Sequence, residues 1–131
     1  MKITGTALSL NVDDVTASAS FAQNHFGFTE TMAAEGFISL THPDAGINVI
    51  FLRTGLETFK PASIAGSAGQ GLLIAFVVDD IDAEFARIAA EGAHVITPPE
   101  TEPWGERYCQ FADPNGIVWQ LVQWVSDPSG G

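Results

Sequence analysis

ALSLNVDDV occupies residues 7–15, and LIAFVVDDI occupies residues 73–81. The two stretches share Val-Asp-Asp-(Val/Ile) at an offset of 66 residues. Each starts as a short apolar β-type run and stops at aspartate. A helix-like stretch follows each, TASASFAQNHFG (16–27) in the first and DAEFARIAAEG (82–92) in the second. Gly27 and Gly92 stand where a C-terminal stop is expected. An aspartate at a helix start accepts from free backbone N–H groups and suits the positive end of the helix dipole. The paired aspartates therefore read as N-caps.

Strand signals follow each helix. The first half supplies FTETMA (28–33), GFISLTH (36–42) and INVIFLR (47–53), with PDAG (43–46) as a turn. The second supplies AHVITP (93–98), ERYCQFA (106–112) and IVWQLVQW (117–124), with DPNG (113–116) as a turn. Asp-Pro-Asn-Gly has proline where φ near −65° is wanted and glycine where positive φ is needed. The expected fold is α+β, with two tandem βαβββ modules, 3–53 and 72–125, in one domain of residues 1–131. Segment 54–71, rich in Gly, Ser and Ala, reads as the connector, and SDPSGG (126–131) as a flexible tail. A four-stranded sheet buries one face under its own helix. Two such sheets are expected to curve around a cavity with their other faces, and positions along a strand alternate between the two sides.

Composition narrows the function classes. With 46% hydrophobic residues the chain can bury a real core. Sixteen acidic against five basic residues, net −11, argue against nucleic acid, whose affinity rests on Lys/Arg–phosphate contacts. The same balance disfavours anionic membrane surfaces and favours cationic partners. No apolar run is long enough to span a membrane, and the N-terminal stretch lacks the pattern of a signal peptide. One cysteine, Cys109, allows no internal disulfide. A soluble cytoplasmic protein is expected.

The paired modules, the Val-Asp-Asp openings and FADPNGIVWQL (111–121) together resemble the vicinal oxygen chelate superfamily. That superfamily includes glyoxalase I, extradiol dioxygenases, fosfomycin-resistance enzymes and bleomycin-resistance proteins. The resemblance covers roughly residues 3–125. It implies metal ligands at four points, which fall on Ala7, Phe51, Leu73 and Gln120. Three of these have no donor atom, and catalytic zinc sites use three protein ligands. A one-residue slip brings Thr6 or Leu8, Ile50 or Leu52, and Leu72 or Ile74 into place, which restores no ligand set. No metal and no cofactor are expected.

Other reactive side chains have plain structural readings. His25 suits a helix C-terminus. His42 stands before Pro43 at a turn and reads as solvated, and His94 heads a strand. Cys109 reads as a strand residue, and GSAGQG (66–71) lacks the Lys-Ser/Thr of a phosphate loop.

The stretch EPWGER (102–107) puts Trp104 in a loop with Glu100, Glu102 and Glu106 around it. An aromatic platform beside carboxylates fits a cationic, planar guest, and it also fits a solvated rim. The P-W-G before D-P-x-G resembles the bleomycin-binding branch. Carried over from the ligand positions, the cavity side comprises Ala7, Ser9 and Asn11; Val49, Phe51 and Arg53; Leu73, Ala75 and Val77; and Val118, Gln120 and Val122. Nothing there is an obvious general base. The resemblance then implies a metal-free homodimer that sequesters a hydrophobic small molecule, with a cationic guest favoured by the acidic loop. Trp104, Phe51 and Tyr108 stack or pack in this reading, Ser9, Asn11 and Gln120 orient polar groups, and Arg53 completes the lining. The alternatives are a metal-dependent lyase or ring-cleaving dioxygenase, a cofactor-free isomerase, and a regulatory module.

Overall fold

The computed structural model describes residues 1–57, 61, 63, 66, 67 and 71–125. Half of the expected connector and all of the expected tail lie outside the described residues. The chain divides into two compact units, Met1–Gln70 and Gly71–Gly131.

The first unit runs β1 (Ala7–Val12), α1 (Val15–Phe26), β2 (Thr29–Ala34), β3 (Phe37–Thr41) and β4 (Asn48–Arg53). Its open sheet has the order β1-β4-β3-β2, with β1 and β4 parallel and the other pairs antiparallel. Asp14 caps α1 by accepting from the Ala17 N–H at 3.1 Å. Val15, Ser18, Ala19, Phe21 and Ala22 recur at helical spacing and form its buried face. The helix stops at Gly27, whose φ of 73° is left-handed and whose N–H reaches Ala22 O.

Register decides which strand residues meet that helix. Leu10 pairs with Phe51, Phe51 with Ile38, and Val49 with Leu40, so all five point to one side of the sheet. Leu40, Val49 and Phe51 are fully buried, and α1 lies against this sheet. Burying a Phe or Val side chain contributes about 1.5–3 kcal/mol. A one-residue slip would expose both and turn Asn48, Ile50 and Leu52 inward.

The second unit repeats the plan with β5 (Leu73–Val77), α2 (Ile81–Ala90), β6 (His94–Thr101), β7 (Glu106–Ala112) and β8 (Val118–Trp124), in the order β5-β8-β7-β6. Asp80 caps α2 through the Ala83 N–H. The helix side of this sheet is marked by Phe85 stacked on Phe111 at 5.5 Å between ring centroids. Phe111 pairs with Trp119 and Cys109 with Leu121, and all four are buried on that side. Arg107, on the same side, holds Asp82 of α2 with two hydrogen bonds of 3.0 and 2.6 Å.

Two features depart from the expected elements. β6 does not stop at Pro98 but continues through Pro98 and Pro99 to Thr101. It is an edge strand, where a missing N–H is tolerated, and its pairing shifts between Val95 and Thr97 and again between Thr97 and Glu100. His42, expected to be solvated, is so only in part. It is partly buried, its ring meets Phe28 edge-on at 5.2 Å, and its Nδ1 accepts the Asp44 N–H at 3.0 Å.

Candidate functional site

The turn that leads into β8 is built on Asp113. Its Oδ1 accepts the N–H groups of Asn115 and Ile117, each at 2.9 Å, and its Oδ2 accepts the indole N–H of Trp119 at 3.2 Å. The Asp113 carboxylate is buried, and these donors supply what water no longer does. Trp119 is thereby pinned on the helix side, and alternation sends Gln120 to the opposite face, open only in that α2 does not cover it.

On that face Gln120 pairs with Ala75 on one side and Gln110 on the other. Gln110 Nε2 donates to Gln120 Oε1 at 2.8 Å. Thr97 Oγ1 donates to Gln110 Oε1, also at 2.8 Å. Thr97 stands on the open face next to Gln110 at the irregularity in β6. The result is a neutral hydrogen-bonded chain, Thr97–Gln110–Gln120, across three strands. Gln120 is 9% exposed.

Aromatic and acidic groups continue the same face toward the β6–β7 turn. Tyr108 pairs with Val122 and Glu100, and its hydroxyl donates to Glu100 Oε2 at 3.3 Å. Desolvation, then hydrogen bonding to Glu102 and the charge of Glu100, push the Tyr108 phenol above its ordinary value. It is therefore a neutral O–H donor at physiological pH. Trp104 is 64% exposed, and its indole N–H donates to Glu106 Oε1 at 3.1 Å. Gly105 has a φ of 90°, and a Cβ there would lie 2.9 Å from Val125 O. The glycine of P-W-G thus has a structural cause, since the turn packs backbone to backbone against the end of β8.

The first unit carries a different polar set on its open face. Asn48 Nδ2 donates to Ser39 Oγ at 2.8 Å and to Leu40 O at 2.7 Å, and Thr31 Oγ1 donates to Ser39. Ser9, which pairs with Ile50, and the buried Asn11, which pairs with Leu52, lie on this face. Thr31 and Thr97 stand 66 residues apart, each at a register shift of its module.

The model of the Glyoxalase/Bleomycin resistance protein/Dioxygenase superfamily matches residues 5–121. The chain belongs to that superfamily. Among solved structures, a superfamily protein from Nocardioides superposes with a TM-score of 0.80 at 26% identity, covering 98% of this chain and 89% of that one. TnmS3, an antibiotic binding protein from Streptomyces sp. CB03234, gives 0.70 at 26% identity, covering 96% and 99%. The uncharacterized proteins Mb0911c of Mycobacterium bovis and Rv0887c of Mycobacterium tuberculosis are 38% identical over 73 residues, 56% of this chain. That stretch is 46% and 41% of their lengths, so the match spans less than half of these curated relatives.

The superfamily's metal chemistry finds little to use in these residues. Ala7 and Leu73 carry no donor. The first-unit counterpart of Gln120 is corrected by register to Ile50, because Ser9 pairs with Ile50 as Ala75 pairs with Gln120. Ile50 carries no donor either, and among the described residues no three His, Cys, Asp or Glu side chains form a group that could hold a metal ion. The donor set does not fit a divalent cation.

The expected lining divides accordingly. Tyr108 and Gln120 share the open face of the second sheet, and Trp104 lies in the β6–β7 turn, hydrogen-bonded to Glu106. Ser9 and Asn11 share that of the first. Phe51, expected on the open side, lies in the core beneath α1, together with Val49. Arg53 ends β4, paired with Val12, and its guanidinium lies 3.8 Å from Glu35. Arg53 joins the β2–β3 turn, where its backbone N–H also reaches Gly36 O, and not Ser9 or Asn11. Thr97 and Gln110 were missing from the sequence expectation. A glutamine in the apolar pattern of ERYCQFA was the available signal. Cys109 is fully buried, and desolvation pushes its thiol up to about 11, which leaves it inert.

Proposed function

We propose that this superfamily member binds and sequesters a hydrophobic, planar, cationic small molecule without a metal, on the open face of its second sheet. The observation that carries this reading is the neutral Thr97–Gln110–Gln120 chain with Tyr108 next along β7, and beyond it the turn that holds Trp104 on Glu106, with Glu100 and Glu102 at the margin. Amides and a hydroxyl orient a guest but do not move protons at neutral pH. An exposed indole and a part-buried phenol ring stack on flat cations, and the carboxylates together with the net charge of −11 attract them. The likeness to TnmS3, an antibiotic binding protein, supports the same class. The working form is proposed to be a homodimer, supported by the exposed apolar side chains Leu73 and Val77 on the edge strand β5.

Thermal-shift and calorimetric titrations against cationic aromatic antibiotics test the reading. At least one saturable binder is expected, and Gln120→Ala should weaken it about tenfold, the loss of one well-placed hydrogen bond. No shift with any compound at saturation refutes sequestration. Stoichiometric Ni, Zn, Mn or Fe in purified protein would overturn the metal-free reading. Light scattering should give the mass of two chains, and a monomer at every concentration refutes the dimer.

A further inference from the structure

The direction of the Thr97–Gln110–Gln120 chain is reversible. Thr97 donates to Gln110 Oε1, and Gln110 Nε2 donates to Gln120 Oε1. Gln120 Nε2 then has no further protein hydrogen bond among the described residues. A hydroxyl both donates and accepts, and each amide offers oxygen on one side and NH₂ on the other. Rotating both amides by half a turn makes Thr97 the acceptor of Gln110 Nε2 and Gln110 Oε1 the acceptor of Gln120 Nε2. The same two bonds form, and Gln120 now presents its carbonyl. The exchange alters no charge and leaves the backbone in place, so its cost is small beside the bond to a guest.

We infer that Thr97 and Gln110 are specificity-setting residues, which let Gln120 offer either N–H donors or a carbonyl acceptor to a bound molecule. The inference rests on the binding reading above and deepens it. The ligands are planar molecules that carry either a carbonyl or an N–H or O–H group at the edge facing Gln120. A carboxylate at position 110 would abolish the choice. It only accepts, so it would take the Thr97 O–H and a Gln120 N–H together and fix the Gln120 carbonyl outward.

The test uses two flat tricyclic probes, fluorenone (acceptor only) and carbazole (donor only), each with the same trimethylammonium-propyl arm on a ring carbon. Wild type should bind both with affinities within about threefold, since each finds one matching bond. In nitrogen-15 spectra of the side-chain amides, fluorenone should move the Gln120 signals alone. Carbazole should move those of Gln120 and Gln110 together, because both amides turn. Gln110 signals that stay fixed while carbazole binds overturn the inference, and this measurement needs no variant. Gln110→Glu should weaken fluorenone about tenfold relative to carbazole. Equal weakening of both overturns it. If neither probe binds wild type, the binding reading is decided separately by the antibiotic titrations above. The relay is then decided in unliganded Gln110→Glu, where a Gln120 Nε2 proton must move downfield and its staying in place is the refuting result.

Discussion

Replacing Asp113 should destabilise the second unit from its closing turn. Its carboxylate takes at least three hydrogen bonds while buried, among them two from the backbone of its own turn and one from the Trp119 indole. Hydrogen bonds to a charged group contribute about 1.5–3 kcal/mol each. The two turn N–H groups recover part of this from water once the turn opens, but the Trp119 N–H, in a fully buried side chain, recovers none. Asp113→Ala should therefore cost about 3–5 kcal/mol, at the upper end for a single substitution. Asp113→Asn separates the contributions. Its oxygen can still take the two backbone N–H groups, but its NH₂ then faces the indole N–H, donor against donor. The expected cost is about 1–3 kcal/mol. In a Trp119→Phe background that conflict is absent, so Asp113→Asn should cost about 1–2 kcal/mol less than in wild type. Urea melts followed by far-ultraviolet circular dichroism on the four proteins give the cycle. Equal losses in the two backgrounds, or Asp113→Asn as stable as wild type, would show that the indole bond does not hold the turn.

Gly105→Ala forces a side chain into a φ of 90° and a 2.9 Å approach to Val125 O, so a loss of about 1–3 kcal/mol and a changed Trp104 fluorescence are expected in the same melts. Arg107 holds the Asp82 carboxyl below its usual 3.8, chiefly through their hydrogen bond. A depressed carboxyl pKa stabilises the fold above the unfolded value and loses that stability as pH falls through the folded one. Wild type should exceed Asp82→Asn by about 0.5 kcal/mol at pH 5, a small figure because the pair is partly exposed, and the gap should close as the pH drops below 3.8. A gap that persists unchanged at pH 2 contradicts the pairing.

The frame was legible in the chain because its signals are local. Asp14 and Asp80 cap the helices as their position before each helix suggests, and Gly27 takes the left-handed conformation that ends α1. DPNG turns into a strand that sends Gln120 to the open face. The placement of Phe51 was not legible. Val-Ile-Phe-Leu is apolar throughout, so β4 offers no alternation, and only its pairing with Leu10 and Ile38 fixes the side. The transfer from the second module also failed at this strand, because Ser9 and Ala75 stand 66 residues apart but Ile50 and Gln120 stand 70 apart. Thr97 and Gln110 were hidden for a related reason. Their meeting depends on a register shift in β6, which leaves no mark in residue types.

The prolines of β6 have a consequence for how copies of this chain can meet. An edge strand is a row of donors and acceptors ready to pair with another strand, and such rows seed unwanted stacking. Pro98 and Pro99 remove two successive donors from β6, and its bends break the flat register that an incoming strand requires. Sheet extension is therefore discouraged along β6, while β5, the other edge of the same sheet, carries no proline. Any growth by strand addition in the second unit has a direction built into it, and a cross-linker or proline placed in β5 would act on the side where it can begin.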